Sequence, residues 1–343
     1  MQPKDNKKKS FVITGGAGFL GQHVIYQLLK QYPDCIIKVI DLKYPTQPTY
    51  SFEKENRVIF YNEKDVTKPE TYLNDIKEGA DCLFNLVGYI SFWSKEKDEL
   101  YRLNVESVKK TLESAAKVGI KKVVHVSSVA AIGYTNDKLN PADESLHVEW
   151  ERYKRKHYMY TKHLGEMVAK NFINDKMDVV IINPSLMYGP GDTHNIITLF
   201  KSLLKGQIPF YTPGGNSISD VRDVAAGLVA AYERGQSGER YILAADHQSF
   251  ENIFKLIADA LGVQPPKICL PCISKFLLTP FIKLIEILSL KRPILTADTF
   301  TFGFLYRYHS SAKAKRELAW LPQISSAQSM RDTAGWYLKE GLI

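Results

Sequence analysis

The chain has 343 residues, 45% of them hydrophobic, enough for one large domain or two unequal ones around a substantial core. Lys and Arg number 45 against 37 Asp and Glu, and part of the +8 surplus is the run Lys4, Lys7, Lys8 and Lys9, which reads as a solvated tail. The remaining surplus is too dispersed for a nucleic-acid surface, and the charged tail runs straight into a strand with no apolar signal-peptide core, so a cytoplasmic location is expected.

In chain order, the apolar run at 11–14 reads as a strand and leads into Thr14-Gly15-Gly16-Ala17-Gly18-Phe19-Leu20-Gly21. Leu20, Val24, Leu28 and Leu29 then recur at helical spacing over 19–31. Further strands are expected at 36–41, 57–61, 81–86, 122–127 and 178–183. Helical stripes are expected over 97–118, through Leu100, Leu103, Val108, Leu112 and Ala115, and over 158–173, through Leu164, Val168 and Phe172. This alternation predicts an α/β fold with a Rossmann-type, doubly wound parallel sheet covered on both faces. Runs such as Val179-Val180-Ile181-Ile182 suit strands buried on both sides. After Tyr188-Gly189-Pro190-Gly191-Asp192 the pattern turns to short helices, turns and one more strand at 240–243.

Residues 268–290 form the most apolar window. Lys275, Lys283, Glu286, Pro271 and Pro280 interrupt it, which makes it a poor transmembrane span. Two readings stay open: a lid helix over an apolar pocket, or an interfacial helix giving peripheral membrane contact. Cys35 and Cys82 border strands and read as small core residues. Cys269 and Cys272 form a lone C-x-x-C with no second pair or His nearby, so no metal site is expected.

Gly15, Gly18 and Gly21 stand between a strand and a helix. That order allows a tight turn, close approach of a pyrophosphate, and close helix packing, with free N–H groups at the helix start. Phe19 and Leu20 open that helix. Asp41 ends the second strand about 20 residues further on, where a carboxylate accepts from adenosine ribose hydroxyls and repels a 2′-phosphate, favouring NAD over NADP. Lys43 softens that preference. Asp65 and Val66 follow the third strand, where Asp65 contacts adenine or caps the next helix. Leu86, Val87 and Gly88 follow the fourth, with Gly88 letting backbone lie along the cofactor or making a tight turn.

Asn104 sits on the apolar face of the 97–118 helix, in step with Val108 and Leu112. Its buried amide needs partners, either as structural glue or as support for the active-site backbone and a relay water. Ser127 and Ser128 end the strand at 122–127, at the carboxyl edge where open parallel sheets bind ligands. Tyr158 and Lys162 share a helix face at i, i+4. A nearby ammonium favours the phenolate and brings the tyrosine towards acid/base use near neutral pH. Tyr153 and Tyr160 lack a Lys four residues on.

With these residues, the chain resembles the extended short-chain dehydrogenase/reductase superfamily over nearly its whole length. The marks are T-G-x-x-G-x-x-G from Thr14, Ser128 before Gly133, Y-x-x-x-K from Tyr158, and Pro184 followed by Tyr188-Gly189-Pro190. Val124-His125-Val126-Ser127-Ser128, Asn183-Pro184-Ser185, Asp220-Val221-Arg222-Asp223-Val224-Ala225 and Ser310-Ser311-Ala312-Lys313-Ala314 fit the branch of 3β-hydroxysteroid dehydrogenases, sterol dehydrogenase/decarboxylases and dihydroflavonol reductases. The apolar stretch 268–290 fits it too. The resemblance implies Tyr158 as acid/base, Lys162 as its electrostatic partner and ribose anchor, Ser128 as donor to the substrate oxygen, and Pro184 and Ser185 beside the nicotinamide.

It further implies hydride exchange between NAD and a secondary alcohol or ketone of a bulky apolar molecule. Phe92, Trp93, Tyr134 and 268–290 are the expected pocket walls. By resemblance alone, a homodimer pairs through helices such as 97–118 and 158–173. Residues 1–190, with 221–245 returning, would form the NAD-binding domain; 191–220 and 246–343 would form a smaller, partly interleaved substrate domain. Two rivals remain. A nucleotide-sugar epimerase or dehydratase usually carries an Arg where Gly214-Gly215-Asn216-Ser217 stands here. A non-catalytic NAD sensor would not need Ser128, Tyr158 and Lys162. Isomerase activity has no assignable residue.

Overall fold

The computed structural model describes residues 8–45 and 47–343; Lys4 and Lys7 of the basic tail lie outside the described residues. The amino-terminal part is built from β1 (Ser10–Thr14), α1 (Phe19–Gln31), β2 (Ile36–Ile40), β3 (Val58–Tyr61), β4 (Cys82–Asn85), α2 (Lys97–Tyr101), α3 (Ser107–Lys117), β5 (Lys122–Val126), α4 (His157–Lys170) and β6 (Asp178–Pro184). Then follow β7 (Leu186–Tyr188), α5 (Ile197–Leu204), β8 (Phe210–Tyr211), β9 (Gly215–Asp220), α6 (Val221–Arg234), β10 (Arg240–Leu243), β11 (Asp246–Ser249) and α7 (Phe250–Leu261). The chain ends with β12 (Ile268–Cys269), α8 (Ile273–Leu288), α9 (Ala297–Phe302), β13 (Tyr306–Arg307), α10 (Ala312–Glu317) and α11 (Ser326–Lys339).

Seven parallel strands form the main sheet in the order β10-β6-β5-β4-β1-β2-β3. Strand alternation sorts the side chains to two faces. Phe11 and Ile13 join Val24 and Leu28 of α1 and Leu228 of α6 on one side, and Val12 joins Val108, Leu112 and Ala169 on the other. The strand order reverses between β1 and β4. At such a switch point the loops diverge and leave a crevice at the carboxyl edge.

A separate core collects Tyr188, Phe200, Ile218, Ile257, Met330 and Tyr337 around the small sheet in which β9 pairs with β7, β11 and β13. It is tied to the main sheet by charge. Asp220 caps α6 and takes Arg222 through both carboxylate oxygens at 2.8 Å, and Arg222 reaches Asp332 of α11 at 2.7 Å. Asp223 accepts from the backbone N–H groups of Gln323 and Ile324, both at 3.0 Å.

The structure departs from the sequence expectations in three places. The helix expected over 97–118 is broken by a π-helical turn, Arg102–Glu106, between α2 and α3. There the chain meets α4 at closest approach: a Cβ on Gly165 would lie 2.2 Å from the Asn104 carbonyl oxygen. π-Bulges of this kind mark sites where local geometry outranks helical regularity. The later helices are not all short, with α6 and α11 each at 14 residues, and five strands besides β10 stand in that region. Finally, α8 is turned inside out. Phe276, Phe281 and Leu288 are 72%, 67% and 69% exposed while Glu286 is 1% exposed. Glu286 accepts from Lys283 Nζ at 2.8 Å, Ser94 Oγ at 3.1 Å and the Ala297 N–H at 3.1 Å.

Candidate active site

The glycine turn is dictated by space. Gly15 has φ +74°, and a Cβ on Gly21 would lie 2.5 Å from both the Gly15 carbonyl oxygen and the Gly16 Cα. Helix α1 starts with no side-chain cap and no acidic residue in its first turn. Its first N–H groups and positive dipole end are therefore free for an anion. Asp41 closes the turn from β2, accepting from the Ala17 N–H at 2.9 Å and the Leu42 N–H at 2.7 Å. Burial raises its pKa, and those backbone donors oppose the rise.

Below the crevice, three strands share a polar rung. Thr14 Oγ1 donates to Asn85 Oδ1 at 2.9 Å, and Asn85 Nδ2 lies 3.2 Å from His125 Nδ1. Burial, reinforced by the Lys162 charge, pushes His125 down to about 3, so it is neutral and accepts from the amide. Gly88 leaves room for Lys162: a Cβ there would lie 2.7 Å from Lys162 Nζ.

A cavity of about 320 Å³ opens between the two parts of the chain. From the predicted set, Phe19, Leu20, Leu86, Gly88, Ser127 and Ser128 border it. Tyr158, Lys162, Pro184 and Ser185 close the same space. Gly15, Gly18, Gly21 and Asp41 lie beyond Phe19 and Leu20, along the turn. Val87 does not border the cavity; it packs over Gly15, its Cγ2 3.1 Å from where a Cβ would stand. Phe92 and Tyr134 form walls as expected from their apolar character.

Elsewhere the contacts choose between the open readings or depart from them. Asn104 does not border the cavity. Its amide is consumed by Tyr89, whose N–H and carbonyl it binds at 2.9 and 3.0 Å, and by Thr161 Oγ1 at 3.2 Å. It therefore fixes the backbone after Gly88 against α4. Asp65 is occupied by Thr67 and by Arg102 at 3.4 Å, and the Val66 side chain is buried in the core. Ser185 Oγ is bonded to Ser219 Oγ at 2.9 Å. Trp93 turns away to donate to the Glu286 carbonyl at 3.3 Å. No residue of α8 borders the cavity, which sets the lid reading aside; α8 sits one layer out, on the segment carrying Ile90 and Phe92.

Tyr158 is buried and its pKa is raised, mainly by loss of water; the Ser128 hydroxyl and the Arg307 charge pull it down. The positive charge acting on the phenol is thus that of Arg307, where that of Lys162 was expected. Burial depresses Lys162 to about 8, against the pull of Glu166. Ser128 is fixed by its own backbone, its carbonyl accepting from Asn183 Nδ2 at 2.9 Å and its hydroxyl from the Ala130 N–H at 3.2 Å.

Sequence reading missed two residues. Glu166 continues the Tyr158, Lys162 spacing by one more helical step, so the signal was present. It is 1% exposed, accepts from Asn183 Nδ2 and lies 3.5 Å from Arg240. Arg307 comes from β13 after α9, with no local pattern to announce it, and borders the cavity.

The model of the NAD dependent epimerase/dehydratase family matches residues 11–244. This chain belongs to that family. A Synechocystis protein carrying the provisional name dihydroflavonol 4-reductase is 31% identical over 97% of this chain and 96% of its own length. The Saccharomyces cerevisiae sterol-4-alpha-carboxylate 3-dehydrogenase ERG26, decarboxylating, is 25% identical over 98% of this chain and all of its own. The crystal structure of DesIV, a dTDP-glucose 4,6-dehydratase from Streptomyces venezuelae with NAD and TYD bound, shares the fold. It superposes with a TM-score of 0.75 at 21% identity, covering 96% of this chain and 97% of that one. The family member described here is an NAD-dependent dehydrogenase/reductase of the extended short-chain type.

Replacing Glu166 with Gln removes the carboxylate that holds the Lys162 ammonium up. Lys162 then loses its proton below about 8 rather than near it. An NMR titration of the lysine Nζ signals in the unliganded protein reads the shift; a pKa that stays put or rises contradicts this pairing.

Proposed function

We propose that this enzyme moves a hydride between NAD and a secondary alcohol or ketone of a bulky, largely apolar substrate, with Tyr158 as acid/base. One observation supports this most: a buried phenol, its serine and its lysine border one cavity at the crevice reached by the glycine turn. The tight, side-chain-free turn at Gly15, Gly18 and Gly21 and the uncapped start of α1 fit a pyrophosphate. Asp41 would take the ribose hydroxyls, Lys162 the nicotinamide ribose, and Pro184 and Ser185 would flank the ring. When bound, NAD supplies the hydride acceptor at its nicotinamide.

The chain's own work is with the proton and the orientation. Ser128 Oγ donates to the substrate oxygen and holds it against the phenol. Tyr158, in its phenolate form, accepts the alcohol proton at Oη. Lys162 keeps its charge beside this centre because Glu166 opposes the effect of burial. Phe92 and Phe302 exclude water; Phe92 packs edge-on at 5.3 Å from Tyr158 and 5.8 Å from Phe302. Reduction runs the same proton transfer backwards. In this reading residues 1–190 with 221–245 serve the cofactor, and 191–220 with 246–343 serve the substrate. The apolar walls favour it over nucleotide-sugar chemistry, whose diphosphate needs more cationic charge than one Arg and one Lys.

Among the described residues no helix is long and apolar enough to cross a membrane. The exposed face of α8 nevertheless presents Phe276, Leu277, Phe281, Leu284 and Leu288 to solvent, with Leu290 and Ile294 beyond it. Lys267, Lys275, Lys283, Lys291 and Arg292 stand in the same stretch. Apolar side chains outside and basic ones nearby suit an anionic bilayer surface. On this reading α8 lies in the membrane interface and puts the cavity close to an apolar substrate's source.

Tyr158→Phe should leave NAD affinity within a few-fold while cutting turnover by roughly 10²-fold or more, the scale of general acid–base catalysis. NADH formation on a sterol and ketone panel reads it, and unchanged turnover removes Tyr158 from its role. Asp41→Ala should narrow a preference for NAD over NADP, seen as a lower ratio of kcat/KM values; equal use of both by the wild type contradicts the Asp41 assignment. Phe276→Glu with Phe281→Glu should abolish co-sedimentation with phosphatidylserine vesicles while leaving the protein's elution volume unchanged. A shift from dimer to monomer, with no vesicle binding in the wild type, would show instead that a second copy covers α8.

A further inference from the structure

The strand that carries Arg307 aims it into the cavity without giving it a partner. Residues two apart on a strand share a face, and Arg307 and His309 both border the cavity. The strand is fixed from two sides. Arg307 pairs with Asn216 of β9, and His309 Nε2 lies 2.8 Å from the carbonyl oxygen of Gly133, on the segment that follows Ser128. Arg307 Nε is buried and makes no hydrogen bond, and among the described residues no acid stands among the charges that act on it. Its Cζ sits 4.7 Å from the centre of the Phe302 ring. Phe302 contacts Phe92 at 5.8 Å, and Phe92 packs edge-on to Tyr158 at 5.3 Å. Arg307 and Tyr158 thus share one cavity walled by rings, where charges are poorly screened from each other. A buried charged donor left unpaired lowers stability. Such a cation persists where the working state of the molecule forms a negative charge beside it.

We infer that Arg307 is a positioning residue for the acid/base step: it is the counter-charge of the Tyr158 phenolate. This inference rests on the proposed oxidoreductase reading and adds a residue to it. The other titratable groups around the phenol do not fill that role. Lys162 is held on α4 beside Gly88 and Glu166, and burial depresses it to about 8, where half its charge is gone. Burial depresses Arg307 only to about 10, so it stays charged through the neutral range. His309 and His125 are neutral, pushed by burial to about 4 and about 3. Asp192 is spent on the N–H groups of His194, Asn195 and Ile196, and Lys156 on Asp298 at 2.6 Å. Tyr134 also feels Arg307, but burial and then Tyr153 hold it up at about 12, so it stays protonated. Tyr158 differs in having the Ser128 hydroxyl to stabilise its ionised form. In alcohol oxidation the O–H proton passes to Tyr158 Oη and the hydride to the nicotinamide of NAD. Arg307 gives and takes no proton; its charge stabilises Oη before that transfer, and again after the reverse one.

The test uses the full-length protein labelled with difluorotyrosine, whose more acidic phenol titrates in a range the fold survives, and it needs neither coenzyme nor substrate. Fluorine NMR follows the Tyr158 signal, assigned by its loss in Tyr158→Phe, through a pH titration. The wild type is compared with two neutral variants, Arg307→Gln and Arg307→Met, with Arg307→Lys, and with Lys162→Met. The neutral variants should move the Tyr158 midpoint up by about one pH unit or more, the low end for loss of an opposite charge nearby. Arg307→Lys should move it less, and Lys162→Met should also move it less than the neutral Arg307 variants do. In unlabelled protein, kcat/KM for NADH formation from a neutral 3β-hydroxysteroid should lose its acid limb at a correspondingly higher pH in Arg307→Gln. A merely structural Arg307 would lower the melting temperature and leave the midpoint in place, which overturns the inference. Failure of both neutral variants to fold overturns it as well, as does a larger displacement in Lys162→Met than in Arg307→Gln. NADH formed from the steroid with an unmoved midpoint removes Arg307 from the step and leaves the oxidoreductase reading standing. A midpoint that follows Arg307, with no NADH from the steroid, does the reverse.

Discussion

An ammonium group held out of water at the carboxyl edge of the sheet governs the rest of this structure. Lys162 is 7% exposed, and a lysine in that setting loses its proton readily unless its surroundings are arranged to keep it. The arrangement is specific. Gly88 has no side chain, so the amine fits where a Cβ would stand 2.7 Å away. Glu166, one helical step further along α4, supplies the opposing charge and is itself held by Asn183 and Arg240. His125 is kept neutral by the same burial and the same cation. The π-helical turn at Asn104 and the missing side chain at Gly165 let α4 come close enough for all of this. Backbone irregularity here is a condition of the charge placement.

What was legible in the sequence is what local spacing can carry. The glycine turn is readable because three glycines, a strand and a helix must fall in that order for a backbone to approach a phosphate. Tyr158 and Lys162 are readable because i, i+4 spacing fixes a common face. The parallel sheet follows from near-continuous apolar strands. Glu166 obeys the same spacing and was overlooked because a buried acid near a lysine looks, in sequence, like any surface ion pair. Arg307 could not be found at all. Its meaning depends on what surrounds it, and Tyr134, Tyr158 and Phe302 come from three separate parts of the chain. Asn104 was recognised as a buried amide needing partners; that those partners are Tyr89 and Thr161 rather than the cavity is a tertiary fact.

Helix α8 shows the same limit from the other side. Periodicity shows that Lys275, Lys283 and Glu286 share a face, but not which face turns inward. The ordinary expectation puts the apolar face inside. Glu286 reverses it, because Ser94, Lys283 and the Ala297 N–H together satisfy its carboxylate under the helix. The carboxylate's pKa stays lowered despite burial. Those contacts pin α8 to the 90–95 segment through its polar side and leave the hydrophobic side outward.

Two features of this molecule therefore look costly when the chain is considered alone: an unpaired guanidinium inside the cavity and an apolar helix face outside it. Local rules are broken in native proteins mainly where function requires it. The two lie on connected elements. α8 leads through residues 289–296 into α9, whose last residue Phe302 stacks under Arg307, and α8 also rests on the segment that gives the cavity Ile90 and Phe92. The two costs are joined through the single stretch of chain from α8 to β13, so whatever bears on the outer apolar face bears on the wall that carries Phe302 and Arg307.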